Sequence, residues 1–308
     1  MFKFKNNSLT KTLTFITGSA LSLLLFGKDI GVLFHLVNNN SEYTHLAIIP
    51  LASGFFLWSG RKQFLTERAN LIIGAVVVAC GLVLAIMLNA VVFEDQVTGL
   101  SLKGIGIIIV IYGLFILCWG FNGLRKSVFP FIFLLLAIPF PSGMLNAIIA
   151  FLQHGSAVMV EGLYTILGQT FVRDGVVFHL NTLSITIAPE CSGIRSTMAL
   201  VITGAVAVEM FLKNGWNKAL MLLLIIPMSL LKNAIRIVTI TMLAQYVDMS
   251  FLTDSFLHKS GGVFFYLIVL AIYFPLLILL SRLEHHRIAS AGKESMRADN
   301  AGKENPNV

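Results

Sequence analysis

Residues 69–93 read ANLIIGAVVVACGLVLAIMLNAVVF, a run of 25 positions without a charged side chain. A helix needs about 20 apolar residues to cross the hydrocarbon core of a bilayer, so this run predicts a transmembrane helix. The whole chain has the same character: 56% of its 308 residues are hydrophobic and 12% are charged, against about 25% charged in soluble domains. With a mean hydropathy of +0.85, the chain is predicted to be an integral membrane protein.

Similar apolar runs recur and predict an all-α polytopic protein of about eight transmembrane helices. The runs cover 10–27, 44–60, 69–93, 101–121, 127–141, 191–212, 217–247 and 260–281. We expect one transmembrane domain over 1–282, followed by a disordered cytoplasmic tail over 283–308 that is rich in charged residues, Asn, Ser and Gly.

Lysine and arginine indicate the orientation, because cytoplasmic loops are enriched in them. With the N-terminus inside, most of the 22 Lys and Arg residues fall in cytoplasmic loops and in the tail. We therefore predict an N-in/C-in topology, and we attribute the net charge of +7 to orientation rather than to nucleic-acid binding. The same topology places 142–190 outside, as a structured segment. Within it, 146–170 suits an interfacial helix, and 177–180 and 183–187 read as short strands.

Cys191 lies in the string APECSGIRS (188–196), where the sixth predicted span begins on its outer side. Pro189 suits a helix start, and the unpaired N–H groups and positive dipole end of a helix favour a thiolate. Arg195, one turn later, acts in the same direction. A lone cysteine at a helix start is more often structural, as Cys80 and Cys118 within apolar runs are expected to be.

The seventh and eighth predicted spans also carry polar residues that could take part in catalysis with Cys191. Asn233 and Arg236 share a face of the seventh span, and a charge within an apolar span is costly enough to indicate function. Lys232 beside them can instead extend its amine toward the interface or serve a structural need. His258, at the outer mouth of the eighth span, is suited to proton transfer. Cys191, Arg236 and His258 thus share the outer halves of three spans, as a Cys–His nucleophile with a cationic oxyanion stabiliser requires.

Two other classes of function stay open at this point. A transporter or channel for an anionic substrate would line its path with Arg195, Lys232 and Arg236, and a non-catalytic assembly factor would depend on no single polar residue. Against both, the reactive side chains lie on one side of the bilayer. We expect no metal or other cofactor, because no His or Cys pair at ligand spacing occurs near the outer face.

These residues resemble the exosortase/archaeosortase family of polytopic membrane proteins. The resemblance covers about residues 130–281 and rests on three ordered motifs: PECSGI (189–194), Asn233-Ala-Ile-Arg236, and His258 followed by Gly261-Gly262. The segment YTHLAIIP (43–50) is also similar to one in the family. The resemblance implies catalytic roles for Cys191, Arg236 and His258, with Ser192, Gly193, Arg195 and Asn233 in supporting or substrate-binding roles.

The implied activity is that of a cysteine protease or transpeptidase in the prokaryotic inner (plasma) membrane, with its active site facing the periplasm or cell exterior. Its substrates would be exported proteins that end in a Pro-Glu-Pro-like motif, a transmembrane helix and a basic tail. After cleavage the protein would pass to an amine-bearing or lipid acceptor. Cys191 would attack the scissile carbonyl, Arg236 and the N–H groups of Ser192 and Gly193 would hold the oxyanion, and His258 would protonate the leaving amine.

Overall fold

The structure, a computed structural model, describes residues 8–39, 42–252 and 261–303. The helices are α1 (Ser8–Leu25), α2 (Gly27–Asn39), α3 (Ile48–Ser59), α4 (Leu71–Asn89), α5 (Gln96–Lys126), α6 (Val128–Leu134), α7 (Ser142–Ile166), α8 (Ile194–Phe211), α9 (Gly215–Tyr246) and α10 (Gly261–Lys303). One antiparallel sheet has the order β1 (Phe171–Asp174), β2 (Val177–Leu180), β3 (Ser184–Thr186). The predicted all-α polytopic fold with a small sheet is confirmed.

The part of the chain that the structure describes contains six helices long and apolar enough to cross a membrane. They are α4, α5, α7, α8 with the turn before it, α9, and α10 up to Arg287. The pair α1 and α2, bent by 77°, makes a seventh if it is one span. The count of six to seven is roughly consistent with the predicted number of about eight.

Three segments account for the difference. The apolar helices at Thr44–Ser59 and Val128–Ala137 are shorter than the roughly 20 residues that a spanning helix needs. The second ends because Ile138 adopts an extended conformation before Pro139, as residues before proline commonly do. Conversely, α7 is a 25-residue helix that passes the length and hydropathy test for a span, where we predicted an interfacial helix over 146–170.

The chain divides into two compact units, Met1–Ala147 and Ile148–Val308, with the boundary inside α7. The single transmembrane domain over 1–282 stays a prediction. The first unit is built on the α4–α5 hairpin, whose backbones approach closely. A Cβ added to Gly74 would lie 2.4 Å from the Cα of Leu117. Small residues permit such contact between membrane helices, where van der Waals packing drives association.

The second unit combines a helical bundle with the sheet. Helices α8, α9 and α10 share a core that includes Leu200, Ile225 and Tyr273. The sheet packs against α7 and α9 through a second core, to which Phe178 and Ile187 belong. Sheet and bundle therefore meet along α9, which contributes to both cores.

Two of the three strands were predicted from sequence. β2 has the predicted bounds 177–180, and β3 lies within the predicted 183–187. β1 was not predicted, because the string Arg173-Asp174-Gly175 is typical of a turn. Its register with β2 pairs Phe171 with Leu180 and Asp174 with Val177, so the turn begins only after Asp174.

The C-terminal segment differs from its prediction. α10 continues as helix to Lys303, through most of the segment 283–308 for which we predicted disorder. The residues involved are rich in Ala, Glu, Arg and Lys, which have high helix propensity. The charge pattern that indicated an unpacked tail is therefore compatible with a continuing helix.

Candidate active site

The chain forms a sharp elbow between β3 and α8, and Cys191 lies on it. Pro189–Cys191 form a single 3₁₀ turn, in which the Cys191 N–H donates to the Ala188 carbonyl at 2.8 Å. Gly193 follows with φ +81°, in the left-handed region that favours glycine, and α8 begins at Ile194. Cys191 therefore precedes the first turn of the long helix.

Asn233 on α9 holds the elbow by hydrogen bonds to its backbone, an arrangement called a clamp below. Its Nδ2 donates to the carbonyl oxygens of Cys191 at 2.9 Å and Ser192 at 3.1 Å, and to the Ser156 hydroxyl at 3.0 Å. It is 1% exposed. Its Oδ1 would lie 2.9 Å from a Cβ added at Gly193, so a side chain there would push against the clamp. Asn233 is therefore buried against the backbone that carries Cys191.

A second clamp holds the next carbonyl. Lys232 Nζ donates to the Ser196 hydroxyl, which donates to the Gly193 carbonyl at 3.0 Å. Lys232 is 3% exposed. The carbonyls of Cys191, Ser192 and Gly193 are therefore all held by contacts that begin on one turn of α9. A lysine within an apolar span is the available sequence signal. Of the two readings left open for Lys232, an interfacial amine and a structural need, its buried bond to Ser196 fits the second.

Two cavities meet at Cys191 and Arg236, since both residues line both of them. The larger, about 540 Å³, opens among the start of α8, α9 and the start of α10. The smaller, about 90 Å³, lies between the β3 strand and α9. Cys191 is partly exposed, so its thiol can be reached, whereas Cys118 is buried.

The predicted supporting residues take different positions. Arg195 is exposed and lines the larger cavity together with Gly193. Ser192 is 2% exposed, and its N–H donates to the Pro189 carbonyl at 3.1 Å. This N–H is therefore already used within the turn, whereas the sequence predicted it as a donor to an oxyanion. The Gly193 N–H has no such bond within the described residues. His258 lies outside the described residues.

A comparison with protein families identifies the family of the chain. The model of the transmembrane exosortase family matches residues 37–275, which is most of the chain. The chain belongs to the transmembrane exosortase family. No match was found among curated proteins or among solved structures.

The match extends beyond the region of about 130–281 that carries the three motifs, since it begins at residue 37 and covers most of the first unit. Membership makes this exosortase a multi-pass integral membrane protein of the cysteine transpeptidase class that processes the sorting signals of exported proteins. The transporter and assembly-factor alternatives give way to this class.

Proposed function

We propose that this exosortase cleaves the C-terminal sorting signals of exported proteins with Cys191 as nucleophile and Arg236 as the cation at the developing oxyanion. The observation that carries the proposal is that the two side chains line the same two cavities at the elbow. Among the three cysteines, Cys191 lines both of these cavities together with Arg236. Activated nucleophiles in proteins have such neighbours.

The chemistry is acyl transfer through a thioester. The Cys191 thiolate sulfur bonds to the scissile carbonyl carbon, and the carbonyl oxygen takes the negative charge. When the C–N bond breaks, the leaving amine carries away the membrane-anchoring tail and takes a proton from His258. An amine-bearing acceptor then attacks the thioester and releases Cys191; if water attacks instead, the product is a free acid.

The oxyanion would be held by Arg236 and by the Gly193 N–H. The elbow supports this assignment because its three carbonyls are bonded to side chains, which orients the peptide units. Preorganised donors of this kind are among the largest contributions to catalysis, with a single donor worth about a hundredfold or more in kcat.

We place the reaction on the extracytoplasmic face. Cys191 precedes α8, and Lys213 follows its end, 18 helical residues or about 27 Å away. Arg282 and Arg287 lie near the end of the membrane-spanning part of α10, at the opposite end from Gly262 in the larger cavity. Basic residues accumulate at cytoplasmic ends, which supports a site at the periplasmic or exterior end of an inner membrane protein.

The proposed substrates end in a Pro-rich motif, a transmembrane helix and a basic tail. A substrate with that helix in the bilayer presents its preceding residues at the membrane surface, at the level proposed for Cys191. The larger cavity also carries the exposed Arg195, which suits an acidic residue in the motif. The acceptor is an amine-bearing or lipid molecule.

A processing assay tests the proposal. A tagged exported protein with such a tail is expressed together with wild-type, Cys191→Ala or Cys80→Ala exosortase, and the loss of the tail is followed by gel mobility. Cys80 is exposed on α4, far along the chain from the elbow, so Cys80→Ala is the matched control. We expect Cys191→Ala to abolish processing and Cys80→Ala to retain it. Normal processing by Cys191→Ala would remove the proposal.

A further inference from the structure

The edge of β3 that faces away from β2 carries backbone groups that form no hydrogen bond within the sheet. The Ile187 N–H donates to the Val176 carbonyl at 3.0 Å, in the register that pairs Phe178 with Ile185. In an antiparallel ladder alternate residues bond to the same neighbour. Thr186 therefore directs its N–H and C=O away from β2, and within the described residues neither group has a backbone partner on that side.

This edge lies beside the nucleophile. Thr186 lines the smaller cavity together with Cys191 and Arg236. The Ile187 carbonyl accepts a hydrogen bond from Gln153 Nε2 at 2.7 Å, which holds the end of the strand just before the chain turns into the elbow. The cavity of about 90 Å³ is too small for a folded partner.

We propose that the edge at Thr186 binds the extended segment of the substrate as an added strand and thereby brings the scissile carbonyl to Cys191. The inference rests on the proposed function and names how that site recognises its substrate. In strand addition, main-chain hydrogen bonds hold the peptide, and the added strand lies about 4.8 Å from its neighbour. The required ligand is a peptide with one residue whose N–H and C=O both face Thr186.

Strand addition explains why a Pro-x-Pro pattern is compatible with this site. Successive residues of a strand direct their backbone groups to opposite edges, so two prolines separated by one residue face the same edge. If the central residue faces Thr186, both prolines face away, and their missing N–H groups cost no hydrogen bond to β3. The central residue supplies the N–H and C=O that the edge requires.

Backbone-modified peptides test this inference without altering the protein. The probe is a synthetic peptide with Pro-Glu-Pro followed by an apolar helix, added to the full-length chain in bilayer discs. Iodoacetamide labelling of Cys191, followed by mass spectrometry of its tryptic peptide, reports binding as slower alkylation. Alanine at the central position keeps the N–H, central N-methylalanine removes it, and N-methylalanine in place of a flanking proline changes no N–H.

We expect central N-methylation to raise the peptide concentration needed for half-protection about tenfold relative to central alanine, and flanking N-methylation to raise it less than about threefold. Equal effects at both positions would overturn strand addition. A parent peptide that does not slow alkylation would also overturn it.

A protein-side arm uses Thr186→Pro, which removes the edge N–H, and Thr186→Val, which keeps it. We expect Thr186→Pro to lower processing of the tagged substrate about tenfold and Thr186→Val to stay within about threefold of wild type, with both alkylated normally at Cys191 without peptide. If processing depends on Cys191 but its rate is unchanged in Thr186→Pro, strand addition is refuted and the proposed function is retained. Processing that persists in Cys191→Ala would remove the proposed function.

Discussion

Asn233→Asp is the substitution that tests the elbow most directly. Aspartate keeps the shape of the side chain but replaces the NH₂ group by oxygen, so all three hydrogen bonds donated by Asn233 Nδ2 are lost. The new oxygen faces the carbonyl oxygens of Cys191 and Ser192, which asparagine bonded at 2.9 and 3.1 Å. At 1% exposure of residue 233, water cannot take the place of the lost donor.

The size of the effect follows from those contacts. Two carbonyls left without their donor cost about 1–3 kcal/mol each, so the observed conformation of the elbow is destabilised by about 2–6 kcal/mol. A displacement of a reacting group by about 1 Å costs about a hundredfold in rate. We therefore expect kcat to fall about a hundredfold, with KM changed by less than about threefold, because a buried positioning residue does not bind substrate.

The measurement is the initial rate of cleavage of a fluorogenic sorting-signal peptide over a range of concentrations, by purified exosortase in bilayer discs. Ser229→Ala is the matched control: Ser229 lies one turn earlier on α9, is 1% exposed, and its hydroxyl has no hydrogen bond among the described residues. A wild-type kcat in Asn233→Asp would refute the clamp. An increase in KM at constant kcat would instead identify Asn233 as a substrate contact.

Two other substitutions act on the same backbone. Lys232→Met keeps the length of the side chain but removes its bond to Ser196, and should slow cleavage about tenfold; Ser196→Ala should match it, and additive losses in the double mutant would contradict a shared clamp. Gly193→Ala forces a side chain into a φ of +81° with its Cβ 2.9 Å from Asn233 Oδ1, which costs at least about 1–2 kcal/mol and should lower both the thermal midpoint in detergent and the cleavage rate. Gly162→Ala, whose added Cβ meets nothing within 4 Å, should change neither, and a stable, active Gly193→Ala would show that the elbow tolerates other conformations.

Much of the fold could be predicted because its signals are local. The length and hydropathy of α4, α5, α8 and α9 identify them as spanning helices wherever they pack. The strands at 177–180 and 183–187 follow from residue type and an adjacent turn. Prediction failed at 127–141, where hydropathy continues but Pro139 ends the helix, and at α7, whose polar residues suggested an interface although its length suits a span.

The candidate site was predictable in its members but not in their arrangement. Cys191 and Arg236 could be selected because a boundary cysteine and a charge within a span are unusual, and the structure brings them to the same cavities. The contacts that each of these residues makes could not be predicted from the sequence. The position of Ser192 suggests an oxyanion donor, yet its N–H is used within the turn. For Lys232 the sequence leaves an interfacial amine and a structural need open, and only its bond to Ser196 distinguishes them.

The amino-acid sequence by itself determined that this chain is an integral membrane protein, and it identified the side chains that could react. Both follow from the sequence because hydrophobicity and chemical type are properties of each residue separately. Only the tertiary structure decided that Asn233 meets a carbonyl 42 positions earlier in the chain, and that the outer edge of β3 opens beside the thiol. Those relations depend on how α9 is rotated against the elbow and on which edge of the sheet is left unpaired. Neither is set until helices and strands pack together.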